Sequence, residues 1–141
     1  MARSSVAEQL ATVDLFSTCT DRELAVIAQV TQPLSVEAGK HVVEQGQPGS
    51  ELYLIVAGEA DVVRDERPVA RLGPGQYFGE LAVLDNAPRG ATVIAVTPLE
   101  LFVLGQREVA AVLDEWPGVS RRMLTSLAAR LREAEQDTAT H

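Results

Sequence analysis

The sequence predicts a mainly β fold with flanking helices: an antiparallel β-barrel or jelly roll of about eight strands, a helical segment before it and hinge helices after it. Three observations carry this expectation. Between residues 34 and 104, short runs rich in Val, Leu, Ile and Tyr alternate with turns that bear glycine or proline. On either side of that stretch the apolar spacing becomes that of a helix. Within it, a helical turn near residues 80–84 interrupts the strands once.

The first helical region covers residues 5–32. Val6, Leu10 and Val13 fall at helical spacing, and Leu15 and Phe16 follow as apolar anchors. Thr20 to Glu23 has the form of a capping box, with Leu24, Ile27 and Ala28 as the apolar stripe behind it. Pro33 ends the region because it cannot donate to a helical ladder. The β region then runs over 33–105, with candidate strands at 34–36, 41–44, 51–56, 59–64, 69–72, 91–96 and 99–104. After Gly105 the helical period returns over 106–135. Val109, Val112 and Leu113 suit a short helix, and Trp116 with Pro117 breaks it, Pro117 being well suited to open the next helix. Leu124, Leu127, Leu131 and Ala134 form a stripe on that last helix. No internal repeat or low-complexity linker divides the chain, so residues 1–141 are expected to form a single domain.

Bulk properties narrow the function classes. Of 141 residues, 20 are acidic and 12 basic, giving a net charge of -8. Duplex binding draws most of its affinity from a basic face, and apart from Arg121–Arg122 and Arg130–Arg132 the basic residues are scattered, so direct nucleic-acid binding is not expected. No apolar run approaches the roughly 18 residues of a membrane span, and Met1 to Ser5 lead into no apolar signal core. With Cys19 as the single cysteine, an internal disulfide is impossible and a reducing, cytoplasmic location is expected. A metalloenzyme on a double-stranded β scaffold needs clustered histidines with a carboxylate, and the chain has only His41 and His141. No Ser, His and Asp arrangement suggests a nucleophile. The chain is therefore expected not to be an enzyme, and to need no cofactor or metal.

The chemistry concentrates in residues 78–92. Gly79 lets backbone approach a ligand closely. Residues 80–84 read as a short helical turn whose free N–H groups favour an anion, with Gly79, Leu81 and Ala82 offering backbone amides. Arg89, after Pro88, supplies a planar cation suited to phosphate oxygens, and Gly90 and Ala91 continue the site onto the next strand. Glu80 is a poor neighbour for an anion unless it accepts from a hydroxyl. Together these residues suit a small phosphate ester that carries a sugar.

The run Phe78-Gly79-Glu80-Leu81-Ala82, continued by Leu84 and by Pro88-Arg89-x-Ala91-Thr92, resembles the phosphate-binding cassette of cyclic nucleotide-binding domains. The turn glycines Gly39, Gly46, Gly58, Gly73 and Gly75 extend the resemblance over roughly residues 12–135. The resemblance implies a regulatory domain whose ligand is a cyclic nucleotide, with Arg89 on the cyclic phosphate and Glu80 on the ribose 2′-hydroxyl. Some members that prefer cGMP carry a threonine directly after the arginine. Gly90 lacks that hydroxyl, which favours cAMP, although rotation of the base about its glycosidic bond keeps cGMP open. The resemblance also implies that the C-terminal helix moves over the base and transmits the signal to an unidentified effector protein. The short stripe of Leu124, Leu127 and Leu131 allows at most a weak homodimer. Only six residues follow Glu135, so output through another protein, or through further chain, is expected. The alternative is a degenerate barrel that binds no nucleotide and serves as a protein-interaction or dimerisation module.

Overall fold

The computed structural model describes residues 5–139, leaving out the side chains of residue 134 and of residues 136–139. The expected stripe position Ala134 and the terminal His141 therefore fall outside the described side chains. Helix α1 (Val6–Leu10) leads into a 3-10 turn at Asp14–Phe16 and helix α2 (Asp21–Val30). The capping box at Thr20 is formed in both directions: Glu23 N–H donates to Thr20 Oγ1 at 3.2 Å, and Thr20 N–H donates to Glu23 Oε1 at 2.8 Å. The turn that Pro33 was expected to enforce comes slightly earlier, and Pro33 itself lies in a strand. That position suits it, because β1 is an edge strand where a missing N–H costs little.

Eight strands follow: β1 (Gln32–Val36), β2 (His41–Val43), β3 (Leu52–Ala57), β4 (Ala60–Arg64), β5 (Arg67–Leu72), β6 (Tyr77–Phe78), β7 (Thr92–Ala95) and β8 (Leu99–Leu104). They form two antiparallel four-stranded sheets, ordered β1-β8-β3-β6 and β2-β7-β4-β5. The architecture is a jelly roll; its sheets do not close into a barrel, because β1, β6, β2 and β5 each end a sheet. The two-residue β6 is the strand that periodicity does not reveal. Two residues are too few to show an alternation, and Phe78 also belongs to the glycine-bearing run after it.

The two central strands of the first sheet, β3 and β8, are covered on both faces, which explains why they read as apolar runs, broken only by the exposed Glu100 of β8. Tyr53 and Ile55 of β3 and Leu99 and Leu101 of β8 face the second sheet. Leu52 and Leu54, with Phe102 and Leu104, face the helices. On that helical side they meet Leu10, Val13, Leu15, Phe16, Leu24 and Ile27. Fully burying side chains of this size contributes roughly 1.5–3 kcal/mol each, so the helical layer is an integral part of the fold.

Between β6 and β7 lies the short helix α3 (Glu80–Asp85), and after β8 come α4 (Gln106–Glu115) and α5 (Pro117–Ala139). Trp116 caps α4 with extended backbone, and Pro117 opens α5 as the sequence suggests. The face of α5 that packs on the core is Val119, Met123 and Leu127. Leu124 and Leu131, expected on one buried stripe with Leu127, are instead 66% and 62% exposed. Leu124 follows Met123 by one residue and so turns toward solvent, whereas Leu131 continues the Val119, Met123 and Leu127 row past the point where that row meets the core. Arg122 fixes the register of α5, its Nε donating to the Asp14 carbonyl at 2.9 Å and its Nη2 to Asp14 Oδ1 at 2.6 Å.

Candidate functional site

The β6–β7 connection is shaped by one turn. Gly79 has φ 92°, a left-handed conformation that side chains resist, and it directs the chain from β6 into α3. A Cβ there would stand 2.6 Å from the Glu51 carbonyl oxygen and 2.8 Å from Arg89 Nη1. A Cβ on Gly49 would lie 2.6 Å from Arg89 Nε. The guanidinium thus fits a cradle between two glycines that no larger residue could line.

The structure buries Arg89, leaving 6% exposed. Its Nη2 donates to the Glu51 carbonyl at 3.2 Å and to Glu51 Oε1 at 3.4 Å, and its Nη1 donates to the Gly79 carbonyl at 3.4 Å. The guanidinium also lies 5.7 Å from the ring centre of Tyr53, which stacks on Phe78 with centroids 5.0 Å apart. Burial and the Glu51 carboxylate push the Tyr53 phenol above its ordinary value, while Arg89 pulls it back. The backbone of Arg89 is pinned as well. Its N–H donates to the Gln47 carbonyl at 3.0 Å, and its carbonyl accepts from Gly46 at 2.8 Å. A cavity of about 260 Å³ adjoins Arg89, lined also by His41, Val43, Glu44, Gln47 and Tyr53.

Glu80 is more deeply buried, at 2% exposed, and its Oε1 is paired with Nη1 of Arg130 on α5. The same guanidinium lies 5.8 Å from the Tyr77 ring centre and reaches the Tyr77 carbonyl through Nη2 at 3.5 Å. Leu81 is exposed, whereas Ala82 is buried. At Gly90 a Cβ would meet nothing within 4 Å, and Ala91, just before β7, is half-buried. The structure therefore gathers Gly79, Glu80 and Arg89 around one turn. It adds Gly49, Glu51, Tyr53 and Arg130, which the sequence reading did not select. Of these, Arg130 carries a sequence signal: it lies three residues beyond Leu127 and seven beyond Met123, on the core-facing side of α5.

Residues 33–115 match the family model of the cyclic nucleotide-binding domain. The chain belongs to the cyclic nucleotide-binding domain family. The cyclic AMP receptor protein of Thermus thermophilus is 38% identical over 102 residues, covering 69% of this chain and 47% of that protein. A candidate potassium channel protein of Rhodopseudomonas palustris is 35% identical over 117 residues, covering 81% of this chain and 28% of its own length. The chain thus spans less than half of either curated relative. Among solved structures, the catabolite activator protein of Thermus thermophilus superposes with a TM-score of 0.84 at 33% identity. That match covers 89% of this chain and 62% of the other. Among the described residues no group of three or more His, Cys, Asp or Glu side chains could hold a metal ion. No described helix is long and apolar enough to cross a membrane.

Proposed function

We propose that this domain binds cAMP as a regulatory ligand and passes the event through α5 to an effector protein. The carrying observation is that Glu80, beside the turn that cradles Arg89, is tied to Arg130 of α5. A ligand that engages the cassette is therefore felt by the helix most able to relay it.

Arg89 is the phosphate group's partner in this reading. Its present contacts, at 3.2 to 3.4 Å, are long beside the roughly 2.7–2.9 Å of good charge-assisted bonds. A phosphodiester offers two charged oxygens to the guanidinium fork, where two carbonyls and one half-exposed carboxylate oxygen at 3.4 Å now serve. Glu80 keeps a second carboxylate oxygen, Oε2, as an acceptor for a sugar hydroxyl while Oε1 holds Arg130. Transmission requires that the ligand bind two arrangements of α5 with different affinity, and Trp116–Pro117 is the point about which α5 would turn. Leu124 and Leu131 offer α5 an apolar face for a modest, concentration-dependent self-association. The domain acts as a receptor, with no catalysis of its own.

The pairing of Glu80 with Arg130 and of Arg89 with Glu51 also favours a second reading, a module that binds no nucleotide and acts through its surface. Calorimetric titration with cAMP, cGMP and 5′-AMP side by side separates the two. Saturable cAMP binding supports the first reading, and no binding of any of the three supports the second.

A further inference from the structure

The β4–β5 hairpin tip stands against the arginine segment, and its backbone is unfavourable. Asp65 and Glu66, the two central residues of the turn, have φ 52° and 67°. Two left-handed residues make a type I′ turn, which strongly prefers Asn-Gly or Asp-Gly; a glutamate in the second position is disfavoured. The tip is nonetheless held. Gln45 Nε2 donates to Asp65 Oδ1 at 2.8 Å, and Gln45 Oε1 accepts from Asp65 N–H at 2.9 Å. The N–H of Gln45 itself donates to Thr92 Oγ1 at 3.0 Å, one residue past the end of the cassette's Arg89–Ala91 segment.

The same tip reaches the cassette. Arg64, which opens the turn, donates from Nε to the Gly90 carbonyl at 3.3 Å. Gly46 and Gln47, next to Gln45, make both backbone hydrogen bonds to Arg89. Gln45 therefore joins the two supports of the segment: the loop that pairs with Arg89 and the hairpin that holds Gly90.

We propose that Gln45 is a positioning residue for the anion-binding arginine. Its side-chain amide compensates the glutamate-bearing turn, which keeps Arg64 on Gly90 and so fixes where Arg89 stands. A carboxamide is required, because the site asks for one donor and one acceptor in the same plane. The consequence for ligand affinity rests on the cAMP reading above, whereas the positioning itself does not.

The test uses Gln45→Ala, and Gln45→Ala combined with Asp65→Asn and Glu66→Gly, which installs the preferred Asn-Gly turn. Amide hydrogen exchange of the ligand-free proteins reads the segment at residues 88–92. Calorimetry reads cAMP affinity. Exchange at 88–92 should rise in Gln45→Ala and return toward the wild type in the triple variant. The affinity for cAMP should fall about three- to thirty-fold and recover with it. Unchanged exchange at 88–92 in Gln45→Ala overturns the proposal, as does a loss that the Asn-Gly turn does not restore. If exchange behaves as expected while no protein binds cAMP, the positioning role stands and the ligand reading falls.

Discussion

Arg130 of α5 pairs with the carboxylate of Glu80, a residue 50 positions earlier and almost wholly inside the fold. A buried carboxylate without a partner is costly, so one side of this pair depends strongly on the other. The dependence is asymmetric. Glu80 is held by α3 and by its surroundings, whereas Arg130 is a partly exposed side chain on a helix whose next turns carry no buried residue among those described. The pair therefore links the cassette to the part of α5 that is least anchored by packing. The anchoring end is the other one, where Val119, Met123 and Arg122 hold α5 to the core and to Asp14.

Replacing Arg89 with alanine should weaken cAMP binding by roughly 2–5 kcal/mol, or about thirty-fold to several-thousand-fold. Because the side chain is buried, the variant should also lose about 1–3 kcal/mol of stability from the Glu51 carbonyl left without its Arg89 donor, while the Gly79 carbonyl keeps the Val83 N–H. Affinity is therefore to be measured on protein shown to be folded by circular dichroism. The tyrosine titration supplies an independent check. Arg89 lowers the Tyr53 phenol that burial and Glu51 raise, so its removal should move that phenol further up. Absorbance titration at alkaline pH would record the shift, and unchanged cAMP affinity in a folded Arg89→Ala protein would remove the site assignment.

Much of the fold was legible because its signals are local. The turn glycines, the capping box at Thr20 and the Trp116–Pro117 break each act within a few residues, and each is found where the sequence indicates. The two sheets follow from strands whose apolar runs are long enough to show. What the sequence hid is non-local. Glu51 meets Arg89 across 38 positions and Arg130 meets Glu80 across 50, and no periodicity encodes a pairing of that span. The burial of Arg89 was hidden for the same reason, since it depends on a loop at Gly49 and Glu51 that folds over it. The stripe on α5 misled in a different way. Leucine spacing marks an apolar face, yet of Leu124, Leu127 and Leu131 it is Leu127 that reaches the core, in line with Val119 and Met123.

Gly90 should govern base preference. Space around its Cβ position is open, so a threonine there can be accommodated without displacing neighbours. The wild-type protein should bind cAMP more tightly than cGMP and bind 5′-AMP poorly, because an open, doubly charged phosphate differs in shape and charge from a cyclic diester. Gly90→Thr should raise cGMP affinity relative to cAMP, as read from the ratio of dissociation constants. A wild-type preference for cGMP would assign base reading to another residue.

Cys19 should be a slow thiol. Partial burial, reinforced by the Glu23 carboxylate, raises its pKa to about 11 from an ordinary 9.0. At neutral pH the thiolate fraction is therefore much smaller than for a free cysteine, and alkylation by iodoacetamide should be correspondingly slow. The linkage has a definite sign. A folded-state value above the unfolded one means that the unfolded chain releases its proton first, so stability from this group is intact below about pH 9 and declines toward pH 11. Alkylation as fast as in the denatured chain would show that the thiol is open to solvent.

The last expectation concerns α5 and decides whether the domain is a switch or only a receptacle. In Arg130→Ala the carboxylate of Glu80 loses its partner, and the helix loses its tie to the cassette while keeping Val119, Met123 and Leu127 on the core. Exchange should therefore rise in the distal part of α5, beyond residue 127, and change little near residues 117–123. In the wild-type protein, cAMP should alter exchange both at residues 79–92 and along α5. In Arg130→Ala the change at 79–92 should persist while the distal part of α5 no longer responds. That separation would make Arg130 the route by which the cassette speaks to the helix. If cAMP alters protection at 79–92 alone in the wild type, α5 is not the output element. If the α5 response survives in Arg130→Ala, the signal travels through packing and not through this ion pair.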